Sequence, residues 1–263
     1  MSLYNICNQK LHYLRYAENT IRIYLFYIDE FEQNIKKHNS RIKASDIQEY
    51  INNYKFTSAP QQNQIISALK FAWEKGLNRK YLKVDFTRPR KEKRIPKVYD
   101  QHEIINRLSK IKNLKHKTIL SLCFSVGLRR SEIINLKISD IDSNRMIIHI
   151  KQAKGKKDRD VPMSEYILKL LRSYYKQYHP RAYLFEGQKK EQYSATSCNK
   201  IFKAHIDQTG HIHLLRHSSL TAMLENGTSL RLIANIAGHK STKTTEGYTH
   251  VSKTYLQSAI LPL

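Results

Sequence analysis

Four separated segments of this 263-residue chain each carry a group able to hold a phosphate or move a proton. In Val126-Gly127-Leu128-Arg129-Arg130-Ser131-Glu132 the glycine lets the backbone turn closely, and the guanidinium of Arg129 can then grip a phosphate through two parallel donors. Glu132 can orient Arg129 from behind, although taken alone the segment reads equally as the start of a surface helix. Lys154 lies at the tip of a lysine-rich turn, from which it can reach outward and donate a proton, while Lys156 and Lys157 beside it neutralise phosphate. Lysines are also common on exposed turns. In His211-Ile212-His213-Leu214-Leu215-Arg216-His217, His213 and Arg216 stand three apart, so a helical turn lets both address one anion. A metal site at His211, His213 and His217 is the rival, but no nearby cysteine or paired carboxylate completes it, so no metal is expected. A buried histidine satisfied by backbone is the plainer rival. The fourth segment runs from Ala237-Gly238-His239-Lys240 to Thr244-Thr245-Glu246-Gly247-Tyr248. As one of 17 tyrosines, Tyr248 stands out only through its company.

The elements that must position these groups fall into two parts. Residues 1–86 read as helices: one around Leu3 to Leu14, one capped by Asn19 and starting at Thr20, one opened by a Ser45/Gln48 capping box, and one with Pro60 at its first position and Gly76 at its end. Residues 87–98 are extended and cationic, with Arg88, Arg90, Lys91, Lys93 and Arg94 placed to meet a polyanion. Residues 99–263 are mixed. Helices are expected at Ile104 to Ile111, Thr118 to Val126, Leu168 to Tyr175, Leu214 to Glu225 and Leu230 to Ala237, with a β-hairpin from Met146 to Val161 whose tip holds Lys154. The fold class is therefore mainly α with a small antiparallel β-sheet, in two domains.

The charge narrows the partner. Lys and Arg number 46 against 22 Asp and Glu, a formal net charge of +24. An excess of that size points to a polyanion, because clustered cations release counterions from a phosphate backbone, though a basic ribosome-associated protein shares the signature. Three cysteines, Cys7, Cys123 and Cys198, show no metal-like spacing and read as free thiols in a reducing compartment. No signal-peptide layout opens the chain, and no uncharged run approaches the roughly 20 residues that cross a bilayer. A soluble, cytoplasmic, nucleoid-associated protein is expected, with no membrane partner.

Arg129, a hairpin lysine, His213-x-x-Arg216, His239 and Tyr248 occur in an order and spacing that resembles the tyrosine recombinase (phage integrase) family. GLRRSE is similar to its first signature box, HLLRH…GH…TTEGYTH to its second, and AKGKKDRDVP to its lysine-bearing hairpin. The likeness runs from about Tyr99 to the C-terminus, with a weaker match of the N-terminal helices to the family's core-binding domain, and its compact form is Xer-type or integron-type. It implies the following roles. Arg129 and Arg216 hold the non-bridging oxygens of the scissile phosphate, with Glu132 supporting Arg129. His213 and His239 donate hydrogen bonds to it, Lys154 protonates the leaving 5′ oxygen, and Tyr248 is the nucleophile. Lys240 departs from the pattern, standing where a small polar residue is common, and as a cation it can add a phosphate contact. The partner implied is double-stranded DNA, gripped by both domains as a clamp. The assembly implied is a homotetramer on two sites, with the apolar tail (Leu256, Ile260, Leu261, Leu263) docking on a neighbour.

Physical chemistry agrees with that assignment. A phenol with a pKa near 10 is a poor nucleophile until cations stabilise its oxyanion, and two arginines at the phosphate also bind the charge of the pentacoordinate transition state. Because the phosphodiester energy is kept in the covalent bond, no nucleotide cofactor is expected, and the sequence has no GxxxxGK[ST] loop. A type IB topoisomerase-like enzyme and a DNA-binding protein without catalysis are the competing readings. Gly247, which weakens a helix, suggests that the segment bearing Tyr248 can move in and out of the site.

Overall fold

The computed structural model describes residues 1–80, 84, 88–89, 97–151, 158–188, 192–239 and 245–246, and it divides into two compact units, Met1–Lys93 and Arg94–Leu263. The described residues are mainly helical and include one three-stranded antiparallel sheet. No described helix is long and apolar enough to cross a membrane.

Unit 1 consists of α1 (Leu3–Tyr13), α2 (Glu18–Ile35), α3 (Ala44–Asn53) and α4 (Ala59–Phe71), which runs on into a π-helical turn, Ala72–Gly76. Leu3, Cys7 and Leu11 on α1, Ile21, Leu25 and Ile28 on α2, and Ile65, Ile66 and Leu69 on α4 are buried at helical spacing, so one apolar stripe per helix builds the core.

The helix ends differ from the sequence expectation in instructive ways. α2 starts two residues early, with Ala17 as its cap, and the Asn19 carboxamide accepts from Arg22 Nη2 (2.9 Å). At α3 the Lys43 N–H donates to Asp46 Oδ2 (2.7 Å), so Asp46 closes the first turn and Ser45 lies inside the helix. Ser58 caps α4, which places Pro60 second. Gly76 is there for close packing rather than for a left-handed turn: a Cβ at this position would lie 2.6 Å from Cys7 Sγ.

Unit 2 contains α5 (Gln101–Ser109), α6 (Leu114–Val126), α7 (Arg130–Asn135), α8 (Glu165–Tyr178), α9 (Ala195–His205), α10 (His213–Glu225) and α11 (Leu230–Ala237). Its sheet is β1 (Ile141–Asp142), β2 (Ile147–Ile150) and β3 (Arg159–Pro162) in the order β1-β2-β3. Ile148 pairs with Val161 and Ile150 with Arg159, so the buried face carries Ile148, Ile150 and Val161. β1, too short to leave an alternating pattern, and α9, with only Cys198, Ile201 and Phe202 buried, were not expected from the sequence. α6 and α11 both end on a glycine in the left-handed region, Gly127 (φ +64°) and Gly238 (φ +61°), which a residue with a Cβ adopts only under strain.

Candidate active site

The two left-handed glycine turns face one another through a single side chain. Arg216 on α10, 5% exposed, donates through Nη1 to the Gly127 carbonyl and through Nη2 to the Ala237 carbonyl at 2.7 Å. A helix C-terminus leaves carbonyls without intrahelical partners and a partial negative charge, so a guanidinium is a fitting ligand for it.

At the end of α11 the accounting of carbonyls is complete. Those of Ala234 and Asn235 accept from the backbone of Gly238 and His239. The next three each accept from a different arginine: Ile236 from Arg159 Nε (2.7 Å), Ala237 from Arg216, and Gly238 from Arg129 Nη2 (3.1 Å).

Glu132 knits two of these arginines together. Arg159 donates to both carboxylate oxygens, Nη1 to Oε1 and Nη2 to Oε2 at 2.9 Å each, and Arg129 adds Nη1 to Oε1 at 2.8 Å. The Arg129 N–H donates to Oε2 at 2.8 Å, because Arg129 is the N-cap of α7 and Glu132 its third residue. Burial is the largest influence on Glu132 and would raise its carboxyl; the hydrogen bonds and charge of Arg159, with those of Arg129, outweigh it and hold it down at about 2. The cluster therefore gathers three guanidinium groups, two of them on the Glu132 carboxylate, and guanidinium groups are suited to receive an anion.

His239 follows immediately. Its Nε2 lies 3.2 Å from Arg216 Nη2 and its Nδ1 2.9 Å from Thr245 Oγ1. Arginine has only donors, so Nε2 accepts and Nδ1 carries the proton. Burial first, then Arg216 and Arg129, bring His239 down to about 4; burial, then Arg130, does the same for His213, the first residue of α10. Both rings are neutral at physiological pH. His217 is shifted down as well, by burial and Arg216. No group of three described His, Cys, Asp or Glu residues could hold a metal ion.

The structure thus brings Arg129, Glu132, Arg216 and His239 into one network and sets His213 one helical turn before Arg216. Arg88 bonds within its own unit, to Asn63 Oδ1 (3.1 Å) and Ser67 Oγ (3.3 Å). Lys154, Lys156, Lys157, Lys240, Tyr248, Arg90, Lys91, Lys93 and Arg94, together with Gly247 and the apolar tail, lie outside the described residues. Arg159 is the member that motif spacing does not mark. In Lys156-Lys157-Asp158-Arg159 it reads as one more base of a cationic turn, and only its pairing opposite Ile150, the last pair of β2 and β3, carries a signal of position.

Comparison with known proteins identifies the family. Residues 93–254 match the phage integrase family, and residues 3–83 match the phage integrase N-terminal SAM-like domain. The tyrosine recombinase XerA of Pyrococcus horikoshii is 32% identical over 255 residues, covering 93% of this chain and 87% of that protein. A crystal structure of XerA recombinase superposes with a TM-score of 0.57 at 28% identity, covering 97% of this chain and 95% of that one. The XerH site-specific recombinase bound to palindromic difH substrate gives a TM-score of 0.73 at 20% identity over 90% and 78% of the two chains, a likeness of fold. Signature residues, two-part architecture and sequence relationship together make this chain a member of the phage integrase family, the tyrosine recombinases.

Proposed function

We propose that this protein is a site-specific DNA recombinase that cuts and rejoins duplex DNA through a 3′-phosphotyrosine at Tyr248. One observation carries the proposal: segments 21 to 109 residues apart deliver Arg129, Arg216 and His239 to a single cationic site beside the turn that leads to Tyr248. Arg129 and Arg216 bind the non-bridging oxygens of the scissile phosphate, and the Tyr248 hydroxyl oxygen attacks phosphorus in line. The P–O5′ bond breaks, Lys154 gives its proton to the leaving oxygen, and the phenolic proton passes to a neutral histidine. Attack of a 5′ hydroxyl on the phosphotyrosine reverses each step.

His239 suits a donor's role because its partner at Nδ1 is a hydroxyl. Thr245 can accept or donate, so the ring can change tautomer and present Nε2–H to a phosphate. The SAM-like unit and the catalytic unit close on DNA as a clamp, the basic residues Arg88 to Arg94 meet phosphates and fix position without reading sequence, and four protomers join two sites through their C-terminal tails. The domains divide at 1–86, 87–98 and 99–263.

The test uses a nicked duplex library with a randomised core. Adducts resistant to denaturation are recovered, sequenced and re-tested with Tyr248→Phe. Adducts that vanish in the variant, and strand exchange between two recovered sites, are the expected result. Adducts with DNA relaxation but no exchange point to a topoisomerase, and no adduct on any sequence overturns the proposal.

A further inference from the structure

Arg159 belongs to neither signature box, yet its side chain makes as many of the hydrogen bonds described above as that of Arg216. Its side chain is 10% exposed. Two nitrogens grip Glu132, the third donates to the Ile236 carbonyl, and the aliphatic and guanidinium atoms pack on Gly238, where a Cβ would come within 3.1 Å of Nη1 and 3.2 Å of Cδ and Cζ. The left-handed φ at Gly238 and this contact together leave room for glycine alone. The Arg159 backbone pairs with Ile150, the last pair of β2 and β3 before the segment of the sequence that contains Lys154. One side chain therefore joins the hairpin, the first turn of α7 and the last turn of α11.

We infer that Arg159 is a positioning residue for strand cleavage, fixing the Arg129 guanidinium through Glu132 and the His239 turn through the Ile236 carbonyl. The inference rests on the recombinase reading and deepens it. A planar fork with three bonds on two targets is what an ammonium cannot reproduce, so replacement by lysine keeps the charge and loses the geometry. Misplacement of a phosphate-binding group by about 1 Å costs on the order of 100-fold in rate, whereas affinity for the rest of the duplex, spread over many phosphates, barely changes.

The experiment is single-turnover adduct formation on a recovered nicked site, with DNA affinity measured on the same preparation. Arg159→Lys is expected to bind DNA within about threefold of the parent and to cleave on the order of 10- to 100-fold more slowly. Arg159→Gln adds a reading that a merely structural role does not move. The charged and titratable groups around Glu132 are Arg129 at the N-cap of α7, Arg159 on β3, the Cys123 thiol of α6, and beyond them Arg216 and His239. With glutamine at 159, burial faces one fewer cation, the Glu132 carboxyl rises, and as pH is lowered cleavage begins to decline further above the acid range than it does in the parent. The added substitution Glu132→Gln abolishes that decline.

Cleavage at the parent rate by Arg159→Lys, or a loss of DNA binding in step with cleavage, overturns the inference. Should Arg159→Lys fail to fold, Glu132→Gln carries the test, and parent-rate cleavage by it overturns the inference equally. Failure of the recombinase reading is distinguishable, because then the parent itself forms no adduct.

Discussion

Arginine side chains gather main-chain carbonyls in both units, to different ends. In unit 1, Arg79 donates to the carbonyls of Asn39, Ser40 and Ile42 and lies 4.7 Å over the Trp73 ring, so one half-buried cation closes one turn. Its described partners are all neutral. In unit 2, Arg129, Arg159 and Arg216 hold three consecutive carbonyls, and Arg129 and Arg159 share a buried carboxylate. The first arrangement satisfies orphan acceptors and stops there. The second does so around a buried carboxylate that two of its arginines share, in a segment after which the sequence runs on to Tyr248, the nucleophile proposed above. The difference separates a fastening from a candidate site: the same donor–acceptor pairs occur in both, and the cluster of three guanidinium groups about a buried carboxylate occurs, among the described residues, in one.

The comparison breaks most decisively at its carboxylates. Glu132→Ala strands buried guanidinium groups and is expected to destabilise unit 2 by about 3–5 kcal/mol. Glu32→Ala, which removes an acceptor shared by the Leu3 and Tyr4 N–H groups at the start of α1, should cost about 1–2 kcal/mol in unit 1. The single tryptophan, Trp73, lies in unit 1, so its fluorescence reports that unit while circular dichroism reports both. If both substitutions shift the tryptophan transition alike, the two networks are not independent.

Next come the arginines. Arg216→Lys should lower adduct formation by roughly 10²–10³-fold, the loss typical of one preorganised donor at a developing charge. Arg79→Ala should leave cleavage within about twofold while lowering stability by about 1–3 kcal/mol. A large loss of cleavage in Arg79→Ala would erase the distinction.

The glycines give a smaller effect. Gly76→Ala overpacks α1 against the π-turn and should cost about 1–3 kcal/mol with no effect on chemistry. Gly238→Ala should cost about as much, and slow cleavage as well, because its methyl group displaces Arg159. Equal cleavage rates in the two variants would contradict that role.

The smallest effect is on pH. His213 and His239 are held at about 4, below their unfolded value of 6.5. Between those values the unfolded chain takes up protons that the folded chain refuses, so stability falls as pH is lowered from about 6.5 to about 4 and levels off beneath. Urea midpoints by circular dichroism should show that slope, and His239→Asn should flatten it.

What could be read from the sequence follows the same divide. The buried stripes of α1, α2 and α4, the glycine ends of α6 and α11, and the hairpin strands are local patterns, visible within a window of a few residues. Arg129, His213, Arg216 and His239 stood out because signature spacing carries them. Caps were less legible, since Asn19, Ser45 and their neighbours offer several polar groups within one turn and the backbone selects among them by packing. Arg159 was illegible because its meaning lies in partners 27 and 77 residues away. No neighbouring residue announces them.

The grip on residues 236–238 is made entirely through main-chain oxygens. Its acceptors are therefore not encoded in any side chain, and a scan that exchanges side chains along α11 will report on packing and never on the grip. Replacing the peptide linkage after Ala237 or Gly238 with an ester weakens the carbonyl as an acceptor and alters no side chain; it also removes the N–H of Gly238 or His239, so an N-methylated linkage at the same position is the control for the lost donor. In this protein part of the active-site wall is written in the polymer's backbone rather than in its alphabet.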